Sequence, residues 1–155
     1  MLTGAANETI YYSSVFRHGV DEKRRVQIPA KWRPLDPNVE LSLILWPHGN
    51  MNEACLLVLP PTEWKSLADK LKVMPFMDSK ATVLRRLMGT KSAQVALDRA
   101  GRICLPEEFA AAIGIVNEAV LVGLVDRFQI WSPERHQIVS AEDEAMANEV
   151  YQLLS

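Results

Sequence analysis

The sequence has few cysteines, no long apolar run and no spaced set of metal ligands. Only two cysteines, Cys55 and Cys104, occur among 155 residues, each within an apolar run, so we expect free, buried thiols rather than a disulfide or a metal pair. The three histidines lie far apart and lack ligand spacing, so we predict neither a metal nor a cofactor. The longest apolar stretches fall far short of the roughly 20 residues that a membrane-spanning helix needs.

The N-terminal stretch also lacks the features of a secretory signal. Residues 1–14 contain neither a basic n-region nor an apolar h-region, so we expect a cytoplasmic protein. With 48% hydrophobic and 23% charged residues, the composition is typical of a globular chain that is long enough to bury a proper core.

The net charge of -2 conceals a polarised chain. Residues 17–34 carry +4 and residues 65–91 carry +5, whereas residues 128–155 carry -4. The basic blocks could face a polyanion that the acidic C-terminal segment would repel. The second block also fits solvated helix faces, with phosphate contacts or a subunit interface as the alternative; its members are Lys65, Lys70, Lys72, Lys80, Arg85, Arg86 and Lys91.

Internal repetition is the most informative feature of the sequence. An offset of 77 residues places residues 20–29 over residues 97–106, so that an Asp, an Arg and a Pro coincide and the apolar positions between them match in kind. A second block repeats at an offset of 72, where residues 56–61 lie over residues 128–133. We therefore predict two copies of one unit that differ by a five-residue loop.

Each copy predicts the same order of elements. A strand precedes the Asp, a tight turn runs from the Asp to the residue before the Arg, and a short alternating strand follows. Pro29 and Pro106 then stand where a helix begins, and Gly101 supplies a positive φ in the second turn. Two strands and a helical segment complete each half, which gives ββαββα twice, an α+β fold. The predicted strands are 15–20, 26–28, 40–46, 54–59, 93–97, 103–105, 119–125 and 128–131, and the predicted helices are 62–71, 79–88, 106–113 and 133–154.

The alternation in the two short strands predicts which side chains face solvent. If their apolar residues point into the core, Arg25 and Arg102 reach the surface at equivalent places, as do Gln27 and Cys104. The two turns would then present a paired cationic ridge that could enter a DNA groove, where an arginine fork can bond O6 and N7 of guanine. The alternative is that each arginine pairs with its own aspartate and only locks the turn. The ridge comprises Lys23, Arg24, Arg25, Arg99 and Arg102.

Several stretches of the chain together match one known pattern. The segment Phe16-Arg17-His18-Gly19-Val20-Asp21 continuing to Arg33, the connection 55–64, and residues 97–103 and 122–131 of the second half resemble the MraZ family of bacterial transcriptional regulators. The resemblance implies two tandem AbrB-like swapped-hairpin units forming one pseudo-twofold, β-barrel-like core with flanking helices, assembled into a ring. The implied division is an N-terminal extension 1–11, a first unit 12–64, a connecting helical segment 65–92, a second unit 93–136 and a C-terminal helix 137–155.

The resemblance also implies DNA binding through two Asp-x-x-x-Arg motifs. Such proteins bind short direct repeats upstream of the division and cell-wall gene cluster and typically repress it, so we expect a nucleoid-associated repressor whose partner is double-stranded DNA, with no small-molecule substrate. Where the first motif usually has Gly, this chain has Arg24, which requires a different turn or a non-Gly residue at positive φ. The DNA-binding candidates are Asp21, Lys23, Arg24, Arg25, Asp98, Arg99 and Arg102.

Two other classes of function stay open. A DNA-independent oligomeric scaffold, or an antitoxin-like protein-binding module, would work through its ring and not through the turns. A small enzyme would need a cleft between the two units. We predict no enzymatic activity, because the sequence contains no Ser/His/Asp order, no Cys/His pair and no phosphate-binding glycine loop.

Overall fold

A computed structural model describes residues 9–155, so the first eight residues of the predicted N-terminal extension lie outside the described part. The strands are β1 (Val15–Gly19), β2 (Arg25–Gln27), β3 (Glu40–His48), β4 (Met51–Leu59), β5 (Ser92–Ala96), β6 (Arg102–Cys104), β7 (Glu118–Gly123) and β8 (Phe128–Trp131). The helices are α1 (Pro61–Lys72), α2 (Ser79–Thr90), α3 (Glu107–Ala112) and α4 (Pro133–Val150), with 3-10 turns at Ala30–Trp32 and Tyr151–Leu154.

Six of the strands form one antiparallel sheet in the order β1–β7–β8–β4–β3–β5. The predicted α+β class is confirmed, but the predicted β-barrel-like core is wrong, because within residues 9–155 no ladder joins β1 to β5 and the sheet stays open. Within residues 9–155, the strands β2 and β6 form a ladder with each other and with none of the six strands of the sheet. They make a separate two-stranded ribbon, called the β2–β6 ribbon below, and an isolated bridge between Val20 and Val26 links it to the chain just after β1.

Segments that match each other in sequence also pair with each other. In the β2–β6 ribbon Val26 lies opposite Ile103, which is its counterpart at the offset of 77. In the sheet Leu57 lies opposite Gln129, its counterpart at the offset of 72. The strand order also reads alike from both edges when β1 is matched with β5, β7 with β3 and β8 with β4. The sheet therefore interleaves strands from the two halves of the chain, with β7–β8 of the second half lying between β1 and β4–β3 of the first.

The main core lies between the ribbon and the sheet. Buried apolar residues of both strands of the ribbon belong to one cluster with residues of the sheet. Trp32 is 1% exposed, and its ring packs against Phe128 with 4.9 Å between ring centroids. Burying each such large apolar side chain stabilises the fold by about 1.5–3 kcal/mol. The predicted inward faces of the short strands are confirmed, because the following residues are all 0% exposed: Val26, Ile28, Ile103 and Leu105.

The two prolines after the short strands start very different elements. The helix predicted after Pro29 is a single 3-10 turn, Ala30–Trp32. Arg33 has extended backbone (φ -80°, ψ 131°) because Pro34 follows it, and a residue before proline is disfavoured in helical conformation. After Pro106 the helix α3 forms with two glutamates in its first turn, and it ends before Gly114, whose φ is +77°. Both prolines occupy the N-cap rather than the first helical position.

The other helices begin and end close to their predicted positions. The N-cap of α2 is Asp78, whose carboxylate accepts from two backbone N–H groups, and the N-cap of α4 is Ser132. The last predicted helix, 133–154, is α-helical to Val150 and continues as a 3-10 turn. None of the helices within residues 9–155 combines the length and the apolar character required to cross a bilayer.

Candidate nucleic-acid interface

The first Asp-x-x-x-Arg motif forms a tight turn that its aspartate closes. Asp21 Oδ1 accepts hydrogen bonds from the backbone N–H groups of Lys23 and Arg25, both at 2.9 Å. Asp21 Oδ2 accepts from Arg25 Nε at 2.7 Å. Backbone bonds from Arg24 N to Asp21 O and from Asp21 N to Arg25 O complete the turn. One carboxylate therefore fixes both the backbone of the turn and the direction of the arginine.

The second motif makes the same bonds 77 residues later. Asp98 Oδ1 accepts from the N–H groups of Ala100 and Arg102 at 2.9 Å, and Asp98 Oδ2 accepts from Arg102 Nε at 3.0 Å. The backbone N–H of the motif arginine is the largest cause that lowers the pKa of Asp21 and of Asp98 below the ordinary value. Both carboxylates are therefore ionised at neutral pH.

The ribbon brings the two motifs side by side. Arg25 lies opposite Cys104, and Gln27 lies opposite Arg102. The distance from Arg102 Nη1 to Asp21 Oδ2 is 3.9 Å, so the carboxylate of the first motif lies near both arginines. Two motifs that lie 77 residues apart in the sequence are therefore neighbours in the structure.

Both motif arginines stay at the surface although each pairs with its own aspartate. The side chains of Arg25 and Arg102 are 34% and 31% exposed. Each uses Nε for the aspartate, and within residues 9–155 the Nη atoms of Arg25 donate no hydrogen bond. The Asp–Arg pairing that was considered as the alternative to DNA contact is present. It uses Nε and leaves the Nη atoms of each guanidinium available to a ligand.

Backbone bonds anchor each turn on the opposite strand of the ribbon. Leu105 N donates to Arg24 O, and Ile28 N donates to Gly101 O, both at 2.9 Å. The four residues are two pairs of counterparts at the offset of 77, so the two turns are held in the same way.

Side chains repeat this anchoring with different chemistry. Gln27 Nε2 donates to Ala100 O at 2.7 Å, whereas its counterpart Cys104 places Sγ 3.3 Å from Lys23 O. An amide N–H is a strong donor and a thiol a weak one, so the second turn is tied more firmly than the first. The sequence indicated that these two side chains face outward but gave no sign of the bonds they make.

Arg24 has a positive φ, which is one of the two alternatives that its departure from the family pattern left open. Its φ is +61°, and that of its counterpart Gly101 is +81°. Arg24 Nε donates to Leu105 O at 3.0 Å, so this side chain folds back along the ribbon. Lys23 and Arg99 are instead exposed at the tips of the two turns. Among the predicted site residues, Arg24 thus contributes a structural bond in addition to its charge.

Arg33 belongs to the site but was not predicted from the sequence. Its Nε donates to Ile28 O at 2.8 Å, and a Cβ added to Gly101 would lie only 2.4 Å from Arg33 Cζ. The guanidinium therefore covers the glycine of the second turn. The repeat could not reveal this residue, because its counterpart at the offset of 77 is Ala110.

The two cysteines have different environments. Cys55 is a buried free thiol, as predicted, and burial raises its pKa to about 12. Cys104 is a free thiol but exposed, so the prediction of burial is wrong there. Because its neighbours Ile103 and Leu105 face the core, alternation places Cys104 on the outer face of the ribbon beside the arginines.

The second basic block lies on α1, on α2 and just after α2, away from the ribbon in sequence. Lys65 pairs with Asp69 at 2.8 Å along α1, and Lys91 pairs with Glu53 at 3.2 Å. Helix α1 has no buried residue. These features favour solvated helix faces, and a subunit interface in this block stays a prediction.

A groove of about 690 Å³ lies beside the 3-10 turn and is lined in part by charged side chains. Among them, Glu63 accepts from Arg127 Nη2 at 2.7 Å, and Asp36 caps the N–H of Asn38. These groups are therefore tied into the fold. Within residues 9–155 no group of three or more His, Cys, Asp or Glu side chains is placed to hold a metal ion.

Comparison with known sequences identifies the family. A sequence profile described as "MraZ protein, putative antitoxin-like" matches residues 88–152. A protein named Transcriptional regulator MraZ from Herpetosiphon aurantiacus is 38% identical over 134 residues, which cover 85% of this chain and 90% of that protein. The chain belongs to the MraZ family. The MraZ resemblance seen in the motifs is thereby confirmed.

Two other relatives carry the same name. The MraZ protein from Thermomicrobium roseum is 31% identical over 146 residues, which cover 90% of this chain and 96% of that protein. The one from Natranaerobius thermophilus is 33% identical over 121 residues, covering 77% and 80%. A match over 90% of the chain must span both Asp-x-x-x-Arg turns, so the region of similarity covers the whole candidate site.

Proposed function

We propose that this protein is a sequence-specific, DNA-binding transcriptional regulator that contacts DNA through the β2–β6 ribbon. The observation that carries the proposal is the adjacency of two surface arginines, Arg25 and Arg102, each oriented by its own aspartate. The name Transcriptional regulator that its relatives bear supports the same function. The candidates Asp21, Lys23, Arg24, Arg25, Asp98, Arg99 and Arg102 form the proposed contact surface.

The proposed mechanism follows from the geometry of the arginine side chains. A two-stranded ribbon fits the DNA major groove, where the two Nη atoms of an arginine can donate to O6 and N7 of guanine. The Nε bond to the aspartate fixes the guanidinium before binding, so less rotamer entropy is lost when the complex forms. Lys23 and Arg99, exposed at the turn tips, would contact phosphates and position the ribbon.

We propose that the ribbon is the product of two tandem AbrB-like units with exchanged strands, residues 12–64 and 93–136. The facing positions of Val26 and Ile103, and of Leu57 and Gln129, support this pseudo-twofold arrangement. Residues 65–92 would connect the units. Residues 137–155, which comprise most of α4 and the 3-10 turn after it, would be kept away from DNA by their acidic side chains.

Assembly into a closed ring would multiply the contacts. One ribbon offers only a few cationic contacts, so specific binding becomes tight when several ribbons meet short direct repeats in tandem. Exposed apolar side chains after α1 support an interface between copies: Val73 is 83%, Phe76 74% and Met77 95% exposed. The repeats are proposed to lie upstream of the division and cell-wall gene cluster, where a nucleoid-associated cytoplasmic repressor would block transcription.

The test is footprinting and gel-shift titration on DNA upstream of the protein's own gene. Arg25→Ala and Arg102→Ala should each lose about 1–3 kcal/mol of binding free energy per lost guanine contact, with folding unchanged. Arg17→Ala is the matched control, because this arginine on β1 pairs with Glu118 at 2.8 Å. Wild-type affinity in the double variant Arg25→Ala/Arg102→Ala would show that the assigned role is wrong.

A second candidate is an antitoxin-like protein-binding module, which the description of the matched profile and the exposed apolar residues favour. Salt dependence separates the two functions. A DNA reader loses affinity with a slope of about -0.9 in log K against log salt for each phosphate it neutralises, whereas a protein-binding module shows no such slope with DNA. Lys23→Ala or Arg99→Ala should lower the slope by about one.

A further inference from the structure

The two ends of the β2–β6 ribbon share a backbone but carry different side chains. At the offset of 77, Glu22 corresponds to Arg99, and both are exposed beside the aspartate of their turn. A carboxylate thus occupies at one end the place that a guanidinium occupies at the other. The backbone hydrogen bonds and those to the aspartate are the same in both turns, so this difference lies in the side chains and not in the backbone.

The charge difference bears directly on a polyanion. Next to a DNA backbone, Arg99 would attract a phosphate where Glu22 would repel one. If the ribbon turned around on the same site, Glu22 and Arg99 would exchange places. Glu22 would then face the phosphate that Arg99 had attracted, and attraction there would be replaced by repulsion. At the next position Lys23 corresponds to Ala100, so residues 21–25 and 98–102 each carry a net charge of +1 and the two turns differ only in where the charges stand. The orientation that places Arg99 at a phosphate and keeps Glu22 away from one is therefore favoured electrostatically.

The outer face of the ribbon differs in the same sense. Gln27 lies opposite Arg102, and its counterpart Cys104 lies opposite Arg25. Gln27 spends one N–H on Ala100 O, which leaves a second N–H and the amide oxygen for a base edge. Cys104 offers only a weak thiol donor. Arg102 therefore has an amide side chain beside it that can hydrogen-bond a base, and Arg25 does not.

We propose that the ribbon docks on DNA in a single orientation, and that Glu22 against Arg99 and Gln27 against Cys104 are the residues that set it. The inference rests on the proposed function and adds the orientation in which the ribbon lies on DNA. A ribbon with identical ends would read a site equally well either way round. The unequal ends make each contact directional, with Arg99 placed at a phosphate and Glu22 kept away from one.

Site-specific cross-linking tests the orientation. A photo-crosslinking amino acid replaces Lys23 in one full-length variant and Ala100 in another, and each is bound to a duplex carrying a single copy of the footprinted repeat. Each probe should cross-link to one flank of the repeat, the two probes to opposite flanks, with a preference on the order of tenfold. Equal cross-linking to both flanks by each probe, on DNA that is bound, would overturn the inference and leave the proposed function standing. Absence of any specific binding would overturn both.

Charge reversal provides the second arm of the test. In the Lys23 probe variant, where neither turn has a lysine at this position, adding Glu22→Arg should reduce the flank preference several-fold while DNA stays bound, and adding Gln27→Cys as well should bring it close to one. Asp143→Arg on α4 adds the same charge on the acidic helix and should leave the preference unchanged. An undiminished preference in the variant carrying both changes would show that other residues set the orientation.

Discussion

Gly101→Ala should destabilise the protein although it adds one methyl group. Gly101 is buried in the second turn with φ +81°, in the left-handed region that residues with a Cβ disfavour. The added Cβ would also lie 2.4 Å from Cζ and 2.5 Å from Nε of Arg33. The guanidinium must then move away, and the Ile28 carbonyl loses the Nε donor now at 2.8 Å.

The magnitude follows from these two effects and from the entropy of the unfolded chain. A left-handed conformation costs a residue with a Cβ roughly 1–2 kcal/mol. A buried carbonyl that loses its donor costs about 1–3 kcal/mol. The reduced entropy of the unfolded chain offsets about 0.4–1 kcal/mol. We therefore expect a loss of about 2–4 kcal/mol in the free energy of unfolding.

Urea denaturation followed by tryptophan fluorescence measures this loss. Gly89→Ala on α2 is the matched control, because its added Cβ would meet no atom within 4 Å beyond its chain neighbours and its own helix backbone. Alanine in a helix should stabilise by about 0.8–1 kcal/mol. If Gly101→Ala unfolded within about 0.5 kcal/mol of wild type, the positions of the turn and of Arg33 would be wrong.

Two more predictions concern thiols and acid. A thiol-specific reagent at pH 8 should modify Cys104 in the native protein but reach Cys55 only after unfolding. The reason is that Cys55 is buried, with its pKa raised to about 12. Modification of both thiols in the native protein would contradict this prediction. The folded-state pKa values of Asp21 and Asp98 lie below the ordinary 3.8, so the stability they contribute is present above that pH and is lost as pH falls through the lower folded values. Asp21→Asn/Asp98→Asn should therefore lose less stability than wild type between pH 5 and pH 2 in thermal melts, and equal losses would refute the turn bonds as their cause.

Local chemistry explains what could be predicted from the sequence. The Asp-closed turns, the two alternatives at Arg24 and the buried faces of the short strands depend on residues within a few positions of one another. Because the internal repeat places the same pattern in both halves of the chain, the same inference was made independently in each half. Predicted strand boundaries differ from the observed ones by no more than three residues for the same reason: apolar alternation and turn residues are local signals.

Contacts between distant segments account for what was missed. Whether a sheet closes depends on how strands far apart in the chain pair, and β2 and β6 form a separate ribbon instead of closing it. Arg33 reaches Gly101 across the ribbon, which no spacing in the sequence indicates. The burial of Cys104 was inferred from its apolar neighbours, although the alternation of β6 placed it on the outer face.

Sequence discrimination by an arginine-to-lysine double variant tests the central claim most directly. Arg25→Lys/Arg102→Lys keeps both charges but removes the guanidinium forks, so binding to scrambled DNA and the salt slope should persist. The ratio of affinities for the footprinted repeat and for scrambled DNA should fall by about tenfold or more, because each bidentate guanine contact contributes about 1–3 kcal/mol of discrimination. A folded double variant that keeps the wild-type ratio would contradict DNA reading by these two arginines.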